Sequence, residues 1–201
     1  MESNGGATAG GVGITLRESR LNCAVMPPIG LKRVREDAFK SVGEAADLGT
    51  QIHDACEQHY KGREVTEQFR PHVAAVAAEV RRLFPTVSDW VSEAYFAHPD
   101  GFGGKVDLHS PSTGAVVDFK GKDGDFSDGK KLAYDQHYQL AAYSRGLRLP
   151  RSPCANVFFS RSHPGAVSGV VWTQTQIDEG WEFFTCALRL WKCWKKYDGS
   201  F

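Results

Sequence analysis

Apolar and polar positions along this chain follow helical and extended periods that predict its elements in a definite order. Helical patterns predict four helices, at about Glu44–Tyr60, Glu67–Phe84, Gln136–Arg145 and Gln174–Tyr197. Short apolar runs predict five strands, at Trp90–Ala97, Lys105–His109, Ala115–Lys120, Ala155–Ser160 and Ala166–Thr173. Helices, three strands, a helix, two strands and a helix predict an α/β fold. In that fold a central mixed β-sheet is flanked by helices on both faces.

Several helix ends carry boundary signals. Thr173 and Gln176 have the spacing of a capping box, Asp135 can cap the third helix, and Pro85 and Gly146 stop the second and third. One face of the last helix is apolar, which predicts core packing and not a base-stacking platform; it carries Ile177, Trp181, Phe184, Leu188 and Trp191.

Two aspartates and a lysine are the most informative residues of the second and third predicted strands. A Pro-Ser-Thr-Gly turn joins these strands. If Ser110 pairs with Ala115, Asp107 lies directly opposite Asp118, with Cβ atoms about 5 Å apart. Opposed like charges destabilise a hairpin, and a divalent cation would offset the repulsion. Lys120 follows Asp118 by two residues and therefore leaves the same face of the strand. This arrangement predicts a site for metal-assisted hydrolysis of a phosphodiester.

Composition and charge are those of a globular protein. The chain has 201 residues, with 24 basic and 24 acidic side chains. A neutral total argues against a general polyanion-coating protein, but it leaves room for a local basic groove near Lys120, Lys122, Lys130 and Lys131. Residues 1–13 are rich in Gly and predict a flexible tail, and residues 14–201 are predicted to form one domain.

The cysteines and the absence of long apolar runs bear on location. The five Cys residues are scattered and form no C-x-x-C pair, which is typical of reduced thiols in a cytosolic protein. The sequence has no secretory segment and no run of about 20 apolar residues. We therefore expect a cytoplasmic protein that is neither secreted nor bound to a membrane.

Five short elements follow one another in a recognisable order. They are G-x-x-I-H at Gly49–His53, a Glu in the strand Ser92–Ala97, G-K-V-D at Gly104–Asp107, D-F-K at Asp118–Lys120 and Q-x-x-x-Y at Gln139–Tyr143. Together they resemble the PD-(D/E)XK nuclease superfamily, in its RecB-like exonuclease branch. Within that branch the chain is similar to the mitochondrial genome maintenance exonuclease, a single-strand-specific DNase, and to phage-type exonucleases. The likeness runs from about Leu48 to the C-terminus and implies a restriction-endonuclease-like core.

The resemblance also implies how a divalent metal would be held. Asp107 and Asp118 would bind Mg²⁺ or Mn²⁺ through hard oxygen ligands, and the backbone carbonyl of Phe119 could add another. His53 resembles a histidine that ligates the metal from a helix, and its imidazole suits Mn²⁺ better than Mg²⁺. Glu93 is similar to an acidic residue that some relatives use at the site, or it is a plain surface glutamate.

Three further residues have proposed roles beside the metal. Lys120 would orient or deprotonate the attacking water and stabilise charge on the phosphate. It could instead be a solvated lysine or the ion-pair partner of Asp118. Gln139 and Tyr143 are four residues apart and share one helix face. The resemblance places that helix beside the site, where both could hold the Lys120 region or contact the DNA backbone. Alternatively, they are polar positions of an amphipathic helix.

Basic residues of the loop after the D-F-K strand could follow the phosphate backbone of a single strand, or form a solvated loop; they are Lys122, Lys130 and Lys131. His59 and His137 are predicted at the surface. Iron–sulfur nucleases of the same branch carry one early Cys and a late Cys trio. Here Cys186 and Cys193 are seven residues apart on a predicted helix, so we expect no iron–sulfur cluster.

The function predicted is that of a metal-dependent exonuclease acting on single-stranded or end-containing DNA, in phage or bacterial recombination or repair. Two alternatives remain. One is a structure-specific endonuclease that uses the same site. The other is a DNA-binding adaptor that keeps the fold and does not cut.

Overall fold

The computed structural model describes residues 14–15, 36–126 and 135–197, with side chains described from residue 47 onwards. Its helices are α1 (Glu36–Tyr60), α2 (Arg70–Leu83), α3 (His137–Gly146) and α4 (Gln174–Lys195). Its strands are β1 (Ile14–Thr15), β2 (Val91–His98), β3 (Phe102–His109), β4 (Val116–Lys122), β5 (Cys154–Ser160) and β6 (Val167–Trp172). The predicted order of helices and strands is confirmed from α1 to α4, and the short strand β1, which was not predicted, precedes it. Within these ranges no helix is both long and apolar enough to cross a bilayer.

The strands form one mixed sheet. Strand β4 pairs in parallel with β5, whereas β2–β3, β3–β4 and β5–β6 are antiparallel. Strand β2 runs along one edge of β3 for its whole length. The other edge of β3 is therefore shared: β4 pairs with it at Leu108 and His109, and β1 pairs in parallel at Phe102 and Gly103. Between these two contacts β3 and β4 diverge, and the edge residues of β3 face a gap in the sheet.

Each face of the sheet carries its own hydrophobic core, because successive strand residues point to opposite sides. On one face, Val116, Cys154 and Phe158 pack with α3 and α4. On the other face, Val117 and Phe159 pack with α1 and α2. This alternation confirms the α/β architecture with helices on both faces. The described part of the chain thus has the layered, open-sheet organisation of a restriction-endonuclease-like core.

Local structure departs from expectation at three helix boundaries. Helix α1 begins at Glu36, eight residues before the predicted start. The predicted second helix is divided into a 3₁₀ turn at Glu67–Phe69 and α2, because Pro71 in the first turn lacks an N–H and suits a helix start. At α3 the predicted cap was wrong: Gln136 is the N-cap, and Asp135 contributes only its backbone carbonyl, to the Tyr138 N–H at 3.2 Å.

The two histidines predicted at the surface differ in burial. His59 is exposed, as predicted. His137 is buried, which contradicts the prediction, because its ring lies against the Trp172 ring at 4.5 Å, beneath Gly180 of α4. Its neighbours belong to β6 and α4, so no local sequence pattern could have shown its burial.

The capping box of α4 is confirmed and generates a stability prediction. The Thr173 hydroxyl oxygen accepts the Gln176 backbone N–H, and the Gln176 side chain accepts the Thr173 backbone N–H. Because Thr173→Ala leaves the Gln176 N–H without its side-chain acceptor, we expect it to lower the free energy of unfolding by about 1 kcal/mol in urea denaturation. The matched control is Thr175→Ala, an exposed position two residues further along, which should change the free energy of unfolding by less than about 0.5 kcal/mol. Equal losses in both variants would contradict the capping role.

Candidate active site where two strands diverge

Asp107 lies where β3 and β4 separate. The predicted register is confirmed for Leu108 with Val117 and for His109 with Val116, but the next expected pair, Asp107 with Asp118, is not formed. Instead, the Asp107 carboxylate accepts the Phe119 backbone N–H, at 2.8 Å from Oδ2. A side chain thus replaces the ladder hydrogen bond. The strands stay apart, and the carboxylate lies in the gap between them.

Asp118 is a buried carboxylate on the face of β4 that packs against α3. Its side chain is about 2 % exposed. Lys120 Nζ lies 3.0 Å from Oδ1 and 2.7 Å from Oδ2, and Asn156 donates to Oδ2 at 2.7 Å. Burial raises the pKa of Asp118 above its ordinary value, the Lys120 ammonium lowers it in part, and the negative charge of Asp107 raises it further. The two predicted aspartates are therefore electrostatically coupled, although they are not a ladder pair.

Lys120 is connected to the Q-x-x-x-Y element of α3. Its ammonium donates to Gln139 Oε1 at 2.6 Å, and Gln139 Nε2 donates to the Tyr143 hydroxyl at 2.6 Å. Tyr143 is buried over Gly104, where an added Cβ would lie 3.0 Å from the tyrosine ring. The glycine of G-K-V-D therefore lets the tyrosine approach β3. Gln139 is thus hydrogen-bonded to Lys120, and contact of this helix face with DNA stays a prediction.

His53 reaches the site from α1. Its Nδ1 lies 3.7 Å from Asp107 Oδ2, and its ring packs edge-on against Phe159 at 5.2 Å. One turn further along, Cys56 is fully buried, and burial, together with the charge of Asp107, raises the pKa of its thiol to about 12. The helix thus presents an imidazole, and not a thiolate, towards the carboxylate.

Glu93 belongs to a cluster of four charged residues beside His53 and Asp107. Its carboxylate pairs with Lys105 and lies 3.7 Å from Lys61, and both lysines also approach Glu57 of α1. The Glu93 side chain is only 11 % exposed, so the alternative that Glu93 is a plain surface glutamate is wrong. Its φ of 58° is in the left-handed region, which is unfavourable for a non-glycine residue and frequent at functional sites.

These residues supply suitable donors for a divalent cation. A small cavity of about 10 Å³ is lined by carboxylates, an imidazole and an aromatic ring, from His53, Glu57, Glu93, Asp107 and Phe119. Within a strand, the N–H and C=O of one residue point to the same side. The Phe119 carbonyl therefore faces the gap that holds Asp107. As they stand, no three His, Cys, Asp or Glu side chains in the described ranges lie close enough together to enclose an ion. Oxygen and imidazole donors are the kinds of ligand that Mg²⁺ and Mn²⁺ take, and lysine ammonium groups lie beside the acids.

The basic loop is only partly within the described residues. Lys122 is half-buried at the end of β4, where its carbonyl accepts the Arg161 N–H at 2.8 Å. Lys130 and Lys131 lie outside the described residues.

The late cysteines are described: Cys154 is buried on β5, whereas Cys186 and Cys193 are exposed on α4.

Three residues of this site were not predicted from the sequence. Glu57 follows His53 by four positions on one helix face, which was a usable signal. Lys105 lies inside the G-K-V-D element, in which only Asp107 was predicted to belong to the site. Asn156 interrupts the apolar residues in the middle of β5, which indicates a buried polar group that needs partners.

Comparison with known proteins gives similarities of fold. No protein-family model matches the chain, and no curated protein matches it. Among solved structures, a candidate exonuclease from Eubacterium rectale is similar over 72 % of this chain and 66 % of that chain, with 13 % identity and a TM-score of 0.50. The chain thus spans just under two thirds of that protein. A phage-related exonuclease from Haemophilus somnus 129PT aligns over 82 % and 90 %, with 12 % identity and a TM-score of 0.39. The first similarity shows a shared fold.

The burial of Asp118 generates a stability prediction. Because its pKa is raised, ionising this carboxyl costs more free energy in the folded chain than in the unfolded chain. In EDTA at pH 7 we therefore expect Asp118→Asn to melt at a higher temperature than the wild type. As pH falls through the raised pKa towards the ordinary value of 3.8, the wild-type carboxyl protonates and the difference should shrink.

The control for this experiment is an exposed acid. Asp178 is half-exposed and pairs with Arg145 at 3.0 Å, so Asp178→Asn should not raise the melting temperature. A lower melting temperature for Asp118→Asn at pH 7 would show that the ion pair with Lys120 outweighs the cost of burial.

Proposed function

We propose that this chain is a divalent-metal-dependent deoxyribonuclease that hydrolyses phosphodiester bonds as an exonuclease. One observation carries the proposal: where β3 and β4 diverge, the Asp107 carboxylate accepts the Phe119 N–H, and on the adjoining residue Asp118 a second carboxylate pairs with Lys120, which Gln139 holds. The fold shared with the Eubacterium rectale candidate exonuclease supports the same class of activity.

The proposed metal ligands are Asp107, Asp118, the Phe119 carbonyl and His53. When bound, the cation would act as a Lewis acid towards the phosphate and lower the pKa of the attacking water. Mg²⁺ suits the oxygen donors, and the imidazole of His53 also accommodates Mn²⁺. Glu93, from the neighbouring ion-pair cluster, is an additional candidate ligand if Lys105 and Lys61 give way.

The chain's own groups supply the remaining chemistry. Lys120 places a positive charge next to the carboxylates, where it would stabilise charge on the scissile phosphate and orient the water. Gln139, itself held by Tyr143, keeps the ammonium in place, because its carbonyl oxygen accepts a hydrogen bond from the lysine. Held in this way, the lysine retains its geometry when the substrate is absent.

The proposed substrate is single-stranded or end-containing DNA, with Lys122, Lys130 and Lys131 contacting the phosphate backbone. The setting we propose is recombination or repair of DNA in the cytoplasm of a bacterial or phage-infected cell. No membrane partner is part of the proposal.

The activity test compares linear and circular single-stranded DNA of the same length, with either Mg²⁺ or Mn²⁺. We expect the end-labelled linear strand to be degraded from an end and the circle to stay intact. Asp118→Asn should be slower by about 10²-fold or more, because the ion loses a charged ligand. Cleavage of the circle would indicate the endonuclease alternative. Intact linear DNA with both metals, combined with DNA binding, would indicate the adaptor.

A second prediction separates the lysine from the metal. Lys120→Ala should slow linear-DNA cleavage by about 10²- to 10⁴-fold, because the water loses its orienting group. Metal affinity in calorimetry should be unchanged or tighter, since a positive charge is removed beside Asp118. The control is Lys195→Ala, an exposed lysine of α4, which should cleave at the wild-type rate. A large loss of metal affinity in Lys120→Ala would contradict the role given to the lysine.

A further inference from the structure

Asn156 is a completely buried polar residue beside the proposed active site. It lies in the middle of β5 and is the ladder partner of Asp118 on β4. Because the two strands are parallel and in register, both side chains leave the same face of the sheet. An amide at such a position must have partners for its oxygen and for its NH₂ group, since an unpaired buried polar group is costly.

The orientation of the Asn156 amide is determined by its partner on β6. The Trp172 indole N–H donates to Asn156 Oδ1 at 2.7 Å. An indole nitrogen can only donate, so the amide oxygen must face Trp172 and the NH₂ group must face Asp118. Asn156 Nδ2 lies 2.7 Å from Asp118 Oδ2 and 3.4 Å from the Asp118 backbone carbonyl.

The same contact restricts the Asp118 carboxylate. Its Oδ2 accepts hydrogen bonds from two directions, from Asn156 across the ladder and from Lys120 two residues along the strand. The lysine is partly exposed and has a long side chain, whereas the asparagine is short, buried and fixed by Trp172. Although Gln139 holds the lysine ammonium, Asn156 is the less mobile of the two partners and therefore sets the plane of the carboxylate.

We propose that Asn156, oriented by Trp172, is a positioning residue that holds the Asp118 carboxylate in the plane it needs for binding the metal. This inference rests on the proposed nuclease function. It adds two residues, on β5 and β6, that lie outside the motif elements found in the sequence. Partners of metal ligands typically alter metal affinity or activity by about 10- to 100-fold when they are removed.

The test measures Mn²⁺ binding by calorimetry on the full-length wild type and on Asn156→Leu, which is similar in size but cannot donate. We expect Asn156→Leu to bind Mn²⁺ about 10-fold more weakly or worse. The Mg²⁺ concentration that half-saturates cleavage should rise by the same factor, while KM for DNA at saturating Mg²⁺ stays unchanged. Trp172→Phe keeps the amide but releases its orientation, so it should shift both metal measurements in the same direction by a smaller factor.

Two controls separate positioning from loss of stability. Val76→Ala truncates a buried side chain of α2 in the opposite core and should destabilise the fold without changing metal affinity. Asp118→Asn should lose Mn²⁺ binding if the proposed site is correct. If Asn156→Leu fails to fold, Trp172→Phe, measured against Val76→Ala, decides the question.

The outcomes distinguish this inference from the proposed function. The positioning role would be overturned if the wild type binds Mn²⁺ and cleaves DNA, Asp118→Asn loses both properties, and Asn156→Leu or Trp172→Phe changes neither. The nuclease proposal would then still stand. Equal weakening of Mn²⁺ binding in Val76→Ala would also overturn the positioning role. Wild-type protein that neither binds Mn²⁺ nor cleaves DNA would overturn both.

Discussion

The hydrogen bond from the Phe119 N–H to the Asp107 carboxylate is the constraint on which this site depends. A buried backbone N–H must be paired, and in a continuous sheet the backbone of β3 would pair it. Here a charged side chain does so at 2.8 Å, and β4 pairs with β3 only at Leu108 and His109. Had the ladder continued, the strands would have closed over the position that Asp107 occupies. The same bond therefore opens the sheet and directs a carboxylate into the opening.

Charges gathered at this opening are balanced in two groups. Lys120 pairs with Asp118 in one group, while Glu57 and Glu93 are matched by Lys61 and Lys105 in the other. Burying such groups is costly unless each has an opposite partner with good geometry. Strain accumulates in the same place, since Glu93 has a positive φ. A fold selected only for stability would have apolar residues here, so the retained charge is consistent with chemistry at the site.

The sequence predicted those parts of the fold that depend on local pattern. The Pro-Ser-Thr-Gly turn correctly gave the register of Leu108 with Val117, and the capping box correctly gave the start of α4. Extending that register to Asp107 failed because a side chain competed with the backbone for the Phe119 N–H. The burial of His137 and the role of Asn156 depend on contacts made across the sheet or between helices, for which a linear sequence has no periodic signal.

A single chain of hydrogen bonds connects motif elements that are far apart in sequence. It runs from the Trp172 indole through Asn156 to Asp118, then through Lys120 and Gln139 to Tyr143. Each polar group in it is fixed by a neighbour, and at both ends an aromatic ring buried in the core anchors the chain. In a low-dielectric interior such connected bonds polarise one another, and the loss of one changes the geometry of the next. The Asp118 carboxylate and the Lys120 amine are thus positioned by the two halves of one core, α3 on one side and β6 on the other. The intact fold, more than any single motif, is what brings these two groups together.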